Sequence, residues 1–392
     1  RSMTASLNSS TTEKALTRYA EDPRLLSGGH AVRLLRNGAQ AFPAWLEAID
    51  HARHRVSMEM YIFSDDVIGR QFAEALSRAA QRGLQVRLLY DFVGCRETPA
   101  AFFQRMRGFG VHVVGYHKYR FWRPRLWALI RRNHRKTLVC DGEVAFTGGI
   151  NISDEWMSQA DGGGGWLDAA IEVRGPAVAR VEATFLRLWN RRAPKRMRLD
   201  PADLPRPAAA GTVPLAVIAN GERRDRFAIR RAALHALRES RARVLLANPY
   251  FVPDRGVMRA LLMAAGRGVD VRLLVPHASD ARLLDFATRA MFPPLLAAGA
   301  RIFRSPVVTH TKALLVDDVF VSLGSYNFDH RSLAYNLELV VNVIDPTYAT
   351  EVATMLISDM AASQEVHAAE FARRGWMARL AERIAYGLRR WL

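Results

Sequence analysis

Apolar residues in this chain fall into short dense runs that alternate with stretches where they recur at helical spacing, and the alternation occurs twice. Residues Arg55 to Phe63 read as extended, Gly69 to Arg82 as an amphipathic helix, and Gly83 to Leu89 as extended again. Beyond Ala232 the order returns, with Val244 to Val252 extended, Arg255 to Arg267 helical and Gly268 to Leu274 extended. Strands alternating with amphipathic helices predict an α/β sandwich in each half, and their recurrence marks an internal duplication. Between the halves, Asn190 to Pro214 is rich in proline, alanine and arginine, the composition of a linker. The expected division is a flexible or disordered tail over 1–24, a first domain over 25–195, a linker over 196–212, a second domain over 213–365 and a basic amphipathic helix over 366–392.

Inside each half lies the same set of polar residues. His134, Lys136, Asp141, Gly148 and Asn151 recur as His310, Lys312, Asp317, Gly324 and Asn327, every pair 176 positions apart. Residues two apart in an extended segment point to one face, so each His and Lys present together. Leu138, Val139 and Cys140 read as a buried strand, Asp141-Gly142 as a hairpin turn and Val144 to Phe146 as the return strand. Gly148 and Gly149 would let the backbone approach a ligand, and Asn151 adds a neutral donor.

Two such copies supply two imidazoles, two ammonium groups and two carboxamides, an inventory suited to a phosphodiester. Lys136, Lys312, Asn151 and Asn327 would hold the phosphate oxygens. One histidine would attack phosphorus, and the other would protonate the leaving alkoxide and then deprotonate the incoming hydroxyl. An unperturbed imidazole pKa of about 6.5 suits both directions of proton transfer. Asp141 and Asp317 join the catalytic candidates, although their place at a hairpin fits a turn-holding role equally well. A lysine two residues from each histidine would repel a cation, and no short-range ligand partner accompanies either, so the site is expected to need neither metal nor cofactor.

These residues reproduce, in duplicate, the HxKxxxxD signature of the phospholipase D superfamily, followed by Gly-Gly or Gly-Ser and Asn. The stretches Ser57 to Asp66, Asn248 to Asp254 and Gly324 to Ser332 resemble its bacterial cardiolipin synthase branch, most of all the short form called cardiolipin synthase B. The resemblance implies a phospholipase D fold: two pseudo-symmetric α/β/α sandwich domains with a shared active site at their interface. It implies His134 as nucleophile and His310 as acid and base, with Asp168 and Glu338 orienting the histidines. The implied reaction makes cardiolipin from two phosphatidylglycerol molecules, donor and acceptor alike, and releases glycerol through a covalent phosphohistidine. Hydrolysis, transfer to another alcohol, or the action of a phospholipase D-family nuclease would use the same residues; a catalytically dead binding protein is disfavoured because both motifs are intact.

Charge enlarges the picture. With 56 basic against 38 acidic residues the chain carries +18, a surface that seeks nucleic acid or anionic lipid. The first half holds an insertion before its motif in which Phe121, Trp122 and Trp127 alternate with arginines, as at a lipid headgroup boundary. Near the end, Trp376 and Trp391 fall on the apolar side of a basic amphipathic helix. These segments favour an anionic phospholipid membrane over nucleic acid. Two cysteines cannot build a disulfide framework, no apolar run is long enough to span a bilayer, and Arg1 to Lys14 lacks a signal-peptide core. The expected location is the cytoplasmic side of the bacterial inner membrane, peripherally attached.

Overall fold

The computed structural model describes residues 18–117, 131–221, 225–278 and 281–389. The chain divides into two compact units. Among the described residues, the first comprises those within 28–212 together with 335–340, and the second those within 18–27, 213–334 and 341–389.

In the first unit the strands are β1 (Ser27–Arg36), β2 (Arg55–Met60), β3 (Gln85–Asp91), β4 (His112–Tyr116), β5 (Thr137–Cys140), β6 (Val144–Gly148) and β7 (Ala169–Arg174). They lie in the order β4-β3-β2-β5-β6-β7-β1. The strands β2, β3 and β4 are parallel, and β5, β6, β7 and β1 continue antiparallel. Parallel neighbours need a crossover, which the helices Val67–Gln81 and Ala100–Gly108 provide. Both faces of the sheet are covered. Leu88 belongs to a core with Phe42, Trp45, Phe72 and Phe146, whereas its neighbour Leu89 belongs to another with Phe185 and Trp189 of the helix Ala177–Arg192. Successive strand residues point to opposite faces, so this split requires a layer of helix on each.

The second unit repeats the plan with β8 (Val213–Ala219), β9 (Arg243–Ala247), β10 (Asp270–Pro276), β11 (Arg301–Ser305), β12 (Ala313–Val316), β13 (Phe320–Gly324), β14 (Leu339–Ile344) and β15 (Gln364–Glu365). Their order is β15-β11-β10-β9-β12-β13-β14-β8, the first unit's order with one short edge strand added. Helix starts correspond as well. The Asp66 carboxylate accepts from Gly69 N at the start of Val67–Gln81, and Asp254 accepts from Gly256 N at the start of Arg255–Gly266. Each satisfies an amide that the helix leaves without an internal partner.

The boundaries expected from composition shift in three places. The linker 196–212 is pinned to the first unit: Trp189 Nε1 donates to Met197 O at 2.8 Å, Asn190 exchanges two hydrogen bonds with Leu199, and Ala210 N donates to Gly29 O. The tail is built into the second unit from Arg18, where Tyr19 is buried and donates to Asp317 at 2.6 Å. Burial and this bond push the Tyr19 hydroxyl up to about 12. Residues 335–340, late in the sequence, belong to the first unit. They do so because Leu337 pairs with the segment just before β5: its amide donates to Arg132 O and its carbonyl accepts from His134 N.

Candidate active site

His134 is buried immediately ahead of β5, and its position follows from that pairing. Leu337 holds the backbone on one side, and the next residue, Glu338, brings its carboxylate to 3.0 Å from His134 Nδ1. Glu338 is fully buried and also accepts from Asn336 Nδ2 at 3.3 Å, while its carbonyl takes Arg135 Nε. An acid on Nδ1 fixes the tautomer with the proton there and leaves Nε2 with its lone pair. Lys136 is buried too; its ammonium donates to His134 O at 2.7 Å and lies 5.2 Å from the centre of the Tyr61 ring. The same ring meets the His134 imidazole edge to face at 4.8 Å. Asn151 is buried and its Oδ1 accepts from Ile62 N at 3.1 Å, which directs the amide through the loop that carries Tyr61.

Behind His134 lies a charged network that the sequence reading did not single out. The Glu59 carboxylate, fully buried in β2, accepts from Asn133 Nδ2 at 3.0 Å and from Thr137 Oγ1 at 3.2 Å. Asp91, at the end of β3, accepts from Asn133 N and pairs with Arg132 at 3.3 Å. Burial raises the Asp91 carboxyl above its usual range, against the pull of Arg132 and the amides of Asn133, Gly94 and Val93. Burial lowers the Arg135 guanidinium, against the pull of Glu59 and Glu338. The signal was present in the sequence: Glu59 and Asp91 are charges inside otherwise apolar strands, which require partners.

In the second unit His310 and Lys312 are equally buried. Lys312 Nζ stands 2.8 Å from His310 Nδ1 and also donates to the His310 carbonyl. Tyr250 approaches the imidazole at 6.4 Å between ring centres. Asn327 is buried, and its Oδ1 has no hydrogen-bond partner among the described residues.

The motif aspartates stand elsewhere. Asp141 follows β5, so a four-residue strand of roughly 13 Å separates it from the histidine end. Its carboxylate accepts from the amides of Arg53, His54 and Arg55, each at 2.8 Å. Burial alone would raise the Asp141 carboxyl, but those three amides hold it below its usual range. Asp317 does the same with the amides of Arg241, Ala242 and Arg243. Both residues have positive φ, 54° and 53°, as a tight hairpin turn demands. Of the two roles the motif aspartates could play, these contacts show the turn-holding one; their carboxylates are occupied in tying the hairpin to the loop before β2 or β9.

One further expectation changes. The pair Gly148-Gly149 makes room for protein, not ligand: a Cβ on Gly148 would stand 2.4 Å from Ala169 O, and one on Gly149 2.2 Å from the Asp168 carboxylate. Asp168 itself accepts from Trp156 Nε1 at 2.9 Å and from Ala169 N. Of the aromatic residues expected at a membrane, Trp376 is 68% exposed, while Phe121, Trp122, Trp127 and Trp391 lie outside the described residues. No helix among the described residues is long and apolar enough to cross a membrane.

Comparison with known proteins agrees with this arrangement. The family model described as cardiolipin synthase, PLD-like domain, matches residues 45–189 and 233–360, one match in each half of the repeat. Cardiolipin synthase A of Pseudomonas putida is 34% identical over 90% of this chain and 73% of its own length. Cardiolipin synthase A of Pseudomonas aeruginosa is 35% identical over 90% of this chain and 71% of its own length. These relatives carry the name of the A form, not of the short B form that the sequence reading favoured. The crystal structure of phosphatidylserine synthase from Haemophilus influenzae Rd KW20 superposes with a TM-score of 0.71 at 13% identity, covering 97% of this chain and 96% of that one, a likeness of fold. The duplicated motif, the repeated sheet order and the family match together place the chain in the cardiolipin synthase family of the phospholipase D superfamily, a family of phosphatidyltransferases.

Proposed function

We propose that the protein condenses two phosphatidylglycerol molecules into cardiolipin and glycerol, with a phosphohistidine as intermediate. Nε2 of His134 attacks the phosphorus of the first lipid, the bond from phosphorus to the glycerol oxygen breaks, and His310 gives that oxygen its proton. His310 then takes a proton from the free hydroxyl of a second phosphatidylglycerol, whose oxygen attacks the same phosphorus and releases His134. Lys136, Lys312, Asn151 and Asn327 neutralise and position the phosphate oxygens. Glu338, and by the same proposal Asp168, act as histidine-orienting acids.

The observation that carries this reading is the His134–Glu338 contact at 3.0 Å. It leaves the lone pair on Nε2, the nitrogen a nucleophile needs, and a buried carboxylate stabilises the charge that the ring acquires on attack. On the other side, His310 enters the reaction as the imidazolium, and becomes the neutral base of the second step once its Nε2 proton has gone to the leaving oxygen. A surface of +18 suits an anionic bilayer that supplies both substrates, and peripheral attachment at the cytoplasmic face of the inner membrane follows from that reading.

The test is to incubate purified protein with vesicles containing phosphatidylglycerol labelled in its phosphate and to resolve the products. Cardiolipin with an equal amount of glycerol supports the proposal. Phosphatidic acid alone would replace it with hydrolysis, and nucleic-acid cleavage without lipid turnover would replace it with a nuclease. Acid-labile label retained on the protein after a rapid quench, and absent from His134→Ala, identifies the phosphohistidine.

A further inference from the structure

The helix Trp376–Gly387 is amphipathic, and such a helix ordinarily turns its apolar face to the protein. Here the orientation is reversed. Trp376 and Met377 are each 68% exposed, Leu380 49%, Ile384 55% and Leu388, just past the helix end, 44%. The face turned inward carries Glu382 and Ala385, both buried, with Ala378 and Ala381 partly so.

A charged clamp holds this orientation. Glu382, 1% exposed, receives Arg374 at 3.0 Å and Arg289 of the helix Arg282–Arg289 at 3.2 Å. Arg374 is fixed in turn over the Phe371 ring, 3.8 Å from its centre. Ala385 completes the seat by packing with Ala287 and Val252, flanked by Leu284, Phe286 and Tyr386. A glutamate between two arginines favours one rotational setting of the helix, since turning it would break both ion pairs.

We infer that this clamped helix is a bilayer-inserting surface whose occupant is an anionic lipid interface. Five apolar side chains gathered on one exposed arc need a cover that is not this protein's own core. Charge identifies the cover. Glu382 is the helix's single acid and points inward, so the outward surface carries no negative charge, while Arg379 and Arg383 are exposed beside the apolar arc. Two copies of a chain with +18 repel each other, which disfavours self-association through this face. A lipid headgroup layer takes both features at once, the indole and aliphatic groups at the acyl boundary and the guanidinium groups at the phosphates.

The inference rests on the lipid-substrate reading only for the kind of surface involved, and one experiment separates the two. Binding to vesicles of phosphatidylglycerol and of phosphatidylcholine is measured by sedimentation for the wild type and for the double variant Leu380→Ser/Ile384→Ser. Turnover of a short-chain phosphatidylglycerol, kept monomeric below its micelle threshold, is measured alongside. The wild type should bind anionic vesicles at least tenfold more tightly than zwitterionic ones, and the variant should lose at least tenfold of that binding while turning over monomeric lipid within twofold of wild type. Because both positions are exposed, the fold should survive, which circular dichroism checks. Brominated acyl chains should quench a component of the wild-type tryptophan fluorescence that is missing in Trp376→Phe. Vesicle binding by the double variant equal to wild type, or quenching that is the same in Trp376→Phe, would overturn the inference. Failure of the wild type to turn over monomeric lipid, with vesicle binding still lost in the variant, would overturn the substrate reading and leave this inference standing.

Discussion

The two halves of the repeat share a sheet order, a motif and a hairpin, yet they support their histidines by different means. Register identifies the matching positions. Thr137 faces Glu59 across β5 and β2, and Ala313 faces Ala247 across β12 and β9, so Glu59 corresponds to Ala247. By the same reasoning Asp91 corresponds to Pro276, and Arg132, Asn133 and Arg135 to Val308, Thr309 and Thr311. A network of buried charges in the first unit is thus an apolar or neutral surround in the second. Thr309 and Thr311 have no hydrogen-bond partner for their buried hydroxyls among the described residues. A duplicated scaffold can keep its reactive pair while the groups behind it diverge, because the strand geometry that presents His and Lys is independent of what fills the layer beneath.

The largest expected effects test whether the two rings do different work. His134→Ala and His310→Ala should each lower turnover by about 10³-fold or more, roughly 4 kcal/mol in barrier, and only His310→Ala should still accumulate labelled enzyme after a rapid quench. Glu338→Gln should retain the fold and lower turnover by about 10²- to 10⁴-fold, since it removes the charge that orients His134 and stabilises its cation. Equal labelling in both histidine variants, or near-normal turnover in Glu338→Gln, would remove the asymmetry.

Next come exchanges across the repeat, read as stability in urea. Ala247→Glu places an unpartnered carboxylate where Glu59 has two donors in the other half, and should cost about 3–5 kcal/mol. Glu59→Gln, which keeps the shape and weakens two hydrogen bonds, should cost about 1–3 kcal/mol. A smaller cost for Ala247→Glu than for Glu59→Gln would show that the second unit can accommodate the charge.

The smallest effects concern what the halves have in common. Asp141→Asn and Asp317→Asn should each cost about 1–2 kcal/mol, because a carboxylate that caps three amides is replaced by a weaker acceptor, with turnover per folded molecule within about threefold of wild type. The Asp141 carboxyl is lowered in the folded state, so its contribution is present above the unfolded value, about 4, and is lost as pH falls through the folded one. Asp141→Asn should therefore flatten the fall in stability below about pH 4. A loss of turnover at full stability would give these aspartates a catalytic role beside the turn-holding one.

Much of this was legible in the sequence because it is local. The strand, turn and return strand around Asp141-Gly142 depend on alternation and on two residues that accept positive φ, and both halves adopt them. The helices read over Gly69 to Arg82 and Arg255 to Arg267 are equally local, and they form as Val67–Gln81 and Arg255–Gly266. Segments whose role depends on distant chain were harder to read. Proline and arginine in 196–212 look like a free linker until Trp189 and Asn190 are seen to hold that stretch. Gly148-Gly149 looks like a ligand approach until Asp168 and Ala169 occupy the space. The C-terminal helix has a clear apolar side in sequence, but only the Glu382 clamp decides which side faces solvent.

By itself, then, the order of residues determined the duplication, the α/β character and the reactive His and Lys pairs, since each of these rests on spacing along one strand or one helix. Tertiary structure alone decided that of the two histidines it is His134, 204 residues away, that Glu338 partners, and that residues 335–340 are built into the first unit. The physical reason is that hydrogen-bond partners and burial are set by chain segments brought together across long separations, which no local pattern encodes.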